Sequence, residues 1–169
     1  MPPARNEDNI NNIQNIISGS GNDSIIGDTM VNNINGGGGN DTINGGGGAD
    51  RLTGSTDADV FVYTLTSDSG VGAGRDVIAD FVSGEDKLDF SAMDANTATA
   101  LPANEAFTFI GTGTFTAAAQ IRYQLIDTDA NGSLDSTLVR GNVNEVLTTD
   151  FEVLLQGVTT AILATDIIL

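Results

Sequence analysis

Aspartate, asparagine and glycine recur at fixed intervals in the front third of the chain, and the chemistry they share is oxygen ligation. Gln14, Asp23, Asn32, Asp41, Asp50 and Asp59 stand nine residues apart. Two residues after each comes a single apolar side chain: Ile16, Ile25, Ile34, Ile43, Leu52 and Phe61. Two copies of the nine-residue unit are complete, Gly36 to Asn44 and Gly45 to Thr53, each opening with four glycines. Ser18 to Ile26 is nearly complete, whereas residues 27–35 keep only Gly27, Asn32 and Ile34 of the pattern. Carboxylates, amides and backbone carbonyls are the ligands of hard cations, and calcium gathers about six to eight such oxygens.

The spacing predicts the elements that would position these groups. A glycine-rich turn of six residues can pass close to a metal, and the next three residues make a short strand with its apolar residue turned inward. Two units then complete one coil, and coils stack at about 4.8 Å, the separation of hydrogen-bonded strands. Copies two apart share an edge. One edge is expected to carry Asp23, Asp41 and Asp59 and to bind well. The other carries Asn32 and Asp50 with Gln14 below, and amides in place of carboxylates should weaken it. Carbonyls of Gly36, Gly37, Gly38 and Gly39, with their counterparts Gly19, Gly21, Gly45, Gly46, Gly47 and Gly48, are expected to complete the ligand shells. A disordered Gly/Asn/Asp linker is the competing reading of this composition. It does not explain an apolar residue held in phase over six copies. For residues 9–17 and 27–35, filler and metal binding are equally good readings.

Composition narrows the function further. Among 169 residues, 23 Asp and Glu face six Lys and Arg, for a formal charge of −17. Nucleic acid is excluded as a partner because phosphate binding needs clustered cations. The chain has neither His nor Cys, which removes zinc sites, disulfides, thiol nucleophiles and imidazole catalysis. The first 30 residues hold only short apolar pairs such as Ile16-Ile17 and Ile25-Ile26, so no N-terminal signal peptide is read there. No stretch is apolar enough to span a bilayer.

The nine-residue unit matches the G-G-x-G-x-D-x-U-x repeat of RTX calcium-binding proteins. Beyond the repeats, Arg75-Asp76-Val77-Ile78-Ala79-Asp80-Phe81-Val82-Ser83-Gly84-Glu85-Asp86-Lys87-Leu88-Asp89-Phe90-Ser91 resembles the segment that follows them in the C-terminal domain of serralysin-type secreted metalloproteases. Related segments occur in the repeat modules of alginate epimerases. The likeness continues through Asn104 to Phe107, Ile121 to Tyr123, Thr137 to Val139 and Asp150 to Gly157, so it covers nearly the whole chain. It implies an all-β fold: a right-handed parallel β-roll over residues 1–62, capped by a β-sandwich-like region over 63–169 in one continuous unit. Short strands are read at Phe107 to Ile110, Ile121 to Ile126, Ser136 to Arg140 and Phe151 to Leu155. Brief helical signals lie at Ser91–Asp94 and Ala117–Ala119.

Three features of the back half stay open. Asp127, Asp129 and Asn131 have the D-x-D-x-N-G spacing of a calcium turn, with Asp135 at its ninth position. Leu138 stands where an EF-hand would place its bidentate Glu, so a solvated hairpin is an equal reading. Asn142 to Leu147 departs from the family's Asp/Gly-rich pattern and is not read as a metal site. Asp76 and Asp80 are read as surface charge in preference to ligands.

The resemblance implies a calcium-binding module that folds on extracellular calcium and supports type I secretion of an exoprotein, and the residues present are read as making no enzyme. The acidic-then-apolar end, Asp166-Ile167-Ile168-Leu169, resembles an uncleaved C-terminal export signal. The H-E-x-x-H helix of a serralysin protease cannot exist in a chain without His. A polysaccharide-binding module is the rival. Arg5, Arg51, Arg75, Lys87, Arg122 and Arg140 are scattered along the sequence, which speaks against an anionic glycan.

Overall fold

The computed structural model describes residues 7–9, 14–97 and 105–169. Arg5, residues 10–13 of the first weak copy and Asn104 lie outside them. Alternating short strands wind into two facing parallel sheets, as the nine-residue period requires. The first sheet stacks β1 (Glu7–Asn9), β3 (Ser24–Ile26), β5 (Thr42–Asn44), β7 (Val60–Val62), β9 (Lys87–Asp89) and β14 (Ile167–Ile168). The second stacks β2 (Asn15–Ser20), β4 (Asn33–Gly38), β6 (Arg51–Thr56) and β8 (Asp76–Ile78). It then continues through β13 (Phe151–Gln156), β12 (Ser136–Asn142), β11 (Gln120–Ile126) and β10 (Thr108–Phe109).

The inward apolar residues form two columns. Ile16, Ile34, Leu52, Ile78 and Leu155 lie in register on the second sheet. Ile25, Ile43, Phe61, Leu88 and Ile167 do so on the first. All ten belong to one buried core. A one-residue slip would turn either column outward, so the pattern itself fixes the register.

The parallel stacking runs on past residue 62. β8 pairs with β6 and β9 with β7, which makes Arg75 to Asp89 a further coil. Its two strands are reached through longer loops, residues 64–75 and 79–86. The cap then attaches edge to edge: β13 runs parallel to β8, and β11, β12 and β13 are mutually antiparallel. Tyr63 and Phe90 stack at 5.4 Å, and Phe90 and Phe107 both pack on Phe151, at 5.3 and 5.9 Å, to fill the cap.

The four strands expected in the back half are present. The helical readings are not borne out: residues 91–93 are turn and bend and Asp94 is irregular, Ala117–Ala119 is bend, and the described residues contain only two 3-10 turns, Gly72–Gly74 and Ala164–Asp166. Both misread stretches are too short to offset the cost of nucleating a helix.

Candidate metal centre

Asp41, Asp50 and Asp59 each sit at the end of a turn, where the chain enters a strand, and each binds the coil before it through its carboxylate. Oδ1 of Asp41 accepts the backbone N–H of Asp23 at 2.9 Å, and Oδ1 of Asp59 accepts that of Asp41 at 2.9 Å. On the opposite edge Oδ1 of Asp50 accepts the N–H of Asn32 at 2.8 Å. The edges are therefore sorted by 18-residue steps, as the repeat predicts.

The second oxygen is the informative one. Oδ2 of Asp41 and Asp50 is buried and has no hydrogen-bond partner among the described residues. A buried carboxylate oxygen in that state is costly unless a cation meets it. The first glycine of each turn makes the room: a Cβ on Gly36 would lie 2.2 Å from Asp41 Oδ2, on Gly45 2.4 Å from Asp50 Oδ2, and on Gly54 2.1 Å from Asp59 Oδ2. The same space at Gly27 is taken by the amide oxygen of Asn32.

Carbonyls line the gap between turns. Those of Gly19 and Gly21 face Gly37 and Gly39 of the next coil, and those of Asp28 and Met30 face Gly46 and Gly48. Two expected donors already accept a hydrogen bond. The Gly36 carbonyl takes the Ser18 hydroxyl, and the Gly38 carbonyl takes the Gly21 N–H at 2.6 Å. A carbonyl has a second lone pair, so both can still face a cation. Carboxylate, amide and carbonyl oxygens converging on a glycine-lined gap fit a hard divalent ion such as calcium.

Burial dominates the electrostatics. It pushes the carboxyl of Asp50 up to about 6, with Asp28 and Asp68 adding repulsion that the Asn32 N–H only partly offsets. Burial likewise raises Asp59 to about 6, helped by Asp86, Asp41 and Asp80. Asp41 and Asp86 are raised chiefly by burial too.

Two members of the ladder lie outside the repeat. Asp76 extends the second edge, its Oδ1 accepting the Asp50 N–H at 2.8 Å. It is fully buried, and burial lifts it to about 8, so the surface-charge reading of Asp76 is overturned. Beside it Tyr63 is itself buried, with its hydroxyl held well above its ordinary value by the same desolvation. Asp86 extends the first edge, accepting the Asp59 N–H at 3.0 Å and the Val82 N–H at 2.8 Å. Asp80 is half-buried and accepts the Gly54 and Ser55 N–H groups at 3.1 and 2.8 Å, which caps the last turn. The lengthened coil breaks the 18-residue step, so period counting could not reach these residues. Their only signal was the Asp spacing within residues 75–89.

The hairpin between β11 and β12 gathers Asp127, Asp129 and Asp135, with one oxygen of each within 4.8 Å of the others. Its donors are turned inward: Gly132 N–H reaches Asp127 at 2.7 Å, Asn131 N–H reaches Asp129 at 3.1 Å, and the Thr128 hydroxyl reaches Asp135 at 2.7 Å. The Gly132 bond holds the Asp127 carboxyl below its ordinary value, and the Thr128 bond does the same for Asp135. At residues 142–147, not read as a metal site, Val143 and Asn144 are tied down by Asp150.

Comparison with known proteins agrees with this architecture. The family model described as peptidase M10 serralysin C terminal matches residues 8–169. A serralysin of Photorhabdus luminescens is 55% identical over 82 residues, covering 48% of this chain and 17% of its own length. The chain thus spans a small part of that relative. The solution structure of the AlgE6R2 subunit from the Azotobacter vinelandii mannuronan C5-epimerase is 28% identical, covers 91% of each chain and has a TM-score of 0.50. The AlgE6R3 subunit is 25% identical, covering 90% of this chain and 80% of its own, with a TM-score of 0.49.

Proposed function

The chain belongs to the serralysin C-terminal family, and from that premise we propose that it is a calcium-dependent folding module, non-catalytic in itself, that accompanies an exoprotein through type I export into the extracellular medium. The observation that carries this reading is the ladder of buried carboxylates, of which Asp41, Asp50 and Asp59 each spend one oxygen on the preceding coil and hold the other against their own glycine turn. Bound calcium supplies the positive charge that lets these carboxylates stay ionised while buried.

Without it, Asp41, Asp50, Asp59, Asp76 and Asp86 must either take up protons or leave the interior, and 21 glycines favour the open chain entropically. Stacking each coil assembles oxygens from two turns at once, so cation affinity is folding free energy. Asp23, Asp41 and Asp59 are the first-edge ligands in this reading. Asn32 and Asp50 serve the second edge, and the Asp127–Asp129–Asn131 hairpin is a separate exposed site.

The last strand closes on the same core: Asp166 is fully buried, bonded to Ser83 and Gly84 at 2.6 and 2.9 Å, and Ile167 pairs with Leu88. No helix among the described residues is long and apolar enough to cross a membrane.

Circular dichroism and small-angle scattering in chelator and then in millimolar calcium test the proposal. Gain of β signal with a fall in radius of gyration is expected, and no change in either across the titration refutes it.

A further inference from the structure

Asparagine followed by glycine is prone to an internal reaction of the chain. Glycine has no side chain to hold its nitrogen off the asparagine amide carbon, so a five-membered ring can close between them. The sequence contains three such pairs: Asn35–Gly36, Asn44–Gly45 and Asn131–Gly132. The fold treats them differently.

Two are locked in the roll. Asn35 lies inside β4, in register with Ile17 on one side and Thr53 on the other. Asn44 ends β5, and its backbone carbonyl accepts the Gly27 N–H at 2.8 Å. Extended backbone points the next nitrogen away from the side chain, so neither pair closes the ring without leaving its strand. Gly36 and Gly45 are also buried, against the carboxylates of Asp41 and Asp50.

The third pair is in the open. Asn131, Gly132 and Ser133 are all exposed in the hairpin between β11 and β12, outside either sheet. Each group that the reaction needs already has its partner there. The Gly132 N–H, whose nitrogen is the nucleophile, donates to Asp127 Oδ2 at 2.7 Å, a base for its proton. Asn131 Oδ1, which gathers negative charge as Cγ is attacked, accepts the Ser133 N–H at 2.8 Å. Asn131 Nδ2, the leaving group, donates to Asp129 Oδ2 at 2.9 Å.

We propose that Asn131–Gly132 is a self-modification site of the folded protein, at which the asparagine converts to aspartate or isoaspartate. The Gly132 nitrogen bonds to Asn131 Cγ and gives its proton to Asp127. The Cγ–Nδ2 bond breaks, and Nδ2 takes up that proton and leaves as ammonia. Water then adds to either carbonyl of the succinimide, giving aspartate or, where the main chain is rerouted through the side chain, isoaspartate. One water enters and one ammonia leaves, with no change in oxidation state. The product adds a negative charge to a hairpin where Asp127, Asp129 and Asp135 already gather. No metal takes part, so the inference goes beyond the calcium reading and requires only the folded hairpin.

Peptide mass spectrometry tests it on the folded chain, incubated in calcium at neutral pH, with the same chain in guanidinium chloride as comparison. Conversion is read at each pair as the mass gain from amide to acid and as isoaspartate content. In the folded chain Asn131 is expected to convert at least about tenfold faster than Asn35 and Asn44, which react only through opening of the roll. In denaturant the three rates converge. Asp127→Asn, checked by circular dichroism, is expected to slow Asn131 by about tenfold or more. Asp135→Asn removes the same charge but holds Thr128 rather than the reacting atoms, and is expected to leave the rate nearly unchanged. Should Asp127→Asn not fold, the ratio among the three pairs in the parent chain decides alone. An intact Asn131 in the folded chain, equal conversion at all three pairs, or an unchanged rate in folded Asp127→Asn overturns the proposal, as does equal slowing by both variants.

Discussion

Asp41 Oδ1 accepts the backbone N–H of Asp23 across the gap between two coils at 2.9 Å, while its Oδ2 is buried and unpartnered beside Gly36. One carboxylate therefore locks the coil before it and faces its own turn. Asp41 also donates its N–H to Asp59, so it occupies the middle rung, whereas Asp23 is half-buried at the bottom of the described ladder. Asp41→Asn keeps the acceptor and removes the charge from two neighbouring gaps. Its calcium midpoint, followed by circular dichroism, is expected to rise about tenfold, and that of Asp23→Asn by about half as much on a logarithmic scale. Equal shifts contradict the stacked-ligand arrangement.

The glycines of one turn have different tasks, and alanine substitution separates them. Gly37 has φ of 95° and a Cβ there would lie 2.0 Å from the Gly19 carbonyl oxygen. That contact is backbone against backbone, so the coils must part. At Gly38 the nearest atom is the Thr56 hydroxyl at 3.5 Å, an ordinary contact. Gly37→Ala should cost about 3 kcal/mol or more in the calcium-loaded state, and Gly38→Ala less than about 1 kcal/mol. Thermal unfolding checks the contrast.

Much of this architecture is legible in the sequence because the apolar residue and the aspartate keep fixed phase through residues 16–61. The inward column residues Ile16, Ile25, Ile34, Ile43, Leu52 and Phe61 and the sorting of Asp23, Asp41 and Asp59 from Asn32 and Asp50 follow from counting alone. What counting misses begins where the period fails. Leu52 to Ile78 and Phe61 to Leu88 are in register but far more than 18 residues apart, so Asp76 and Asp86 enter the ladder unannounced. The grouping of Arg75 and Arg140 around Glu152 is invisible for the same reason. It arises from the β13–β8 pairing, which joins segments some 75 residues apart.

Protonation should substitute in part for metal. Burial raises Asp50 and Asp59 to about 6 and Asp76 to about 8, so the metal-free folded state binds more protons than the unfolded chain between about pH 4 and about pH 8. Linkage then makes its stability fall as pH rises through that window and level off above it. In chelator, the β signal is expected to be stronger at pH 4.5 than at pH 8.5, and calcium binding near pH 7 should release protons into a weak buffer. A metal-free fold that gains stability with rising pH refutes this.

Glu152 carries the opposite sign. Burial alone would raise its carboxyl, but the Gly72 N–H at 2.9 Å and the Arg140 and Arg75 guanidiniums outweigh that and hold it below its ordinary value. Its contribution is therefore present above about pH 4.5 and is lost as pH falls through the depressed folded value. Through these bonds, and through the Ser69 hydroxyl on the Glu152 carbonyl, residue 152 fastens the 64–75 loop beside Asp76, whose N–H is bonded to Ser69. Both arginines are partly exposed, so screening reduces the ion-pair share, and Glu152→Gln should cost about 1–2 kcal/mol at pH 7. In saturating calcium that is a fall of about 2–8 °C in Tm. The variant should lose less stability than the parent when both are taken to pH 3, because the group that titrates there is gone. Calorimetry at the two pH values decides it, and an equal acid-induced loss in both chains would assign the clamp to packing alone.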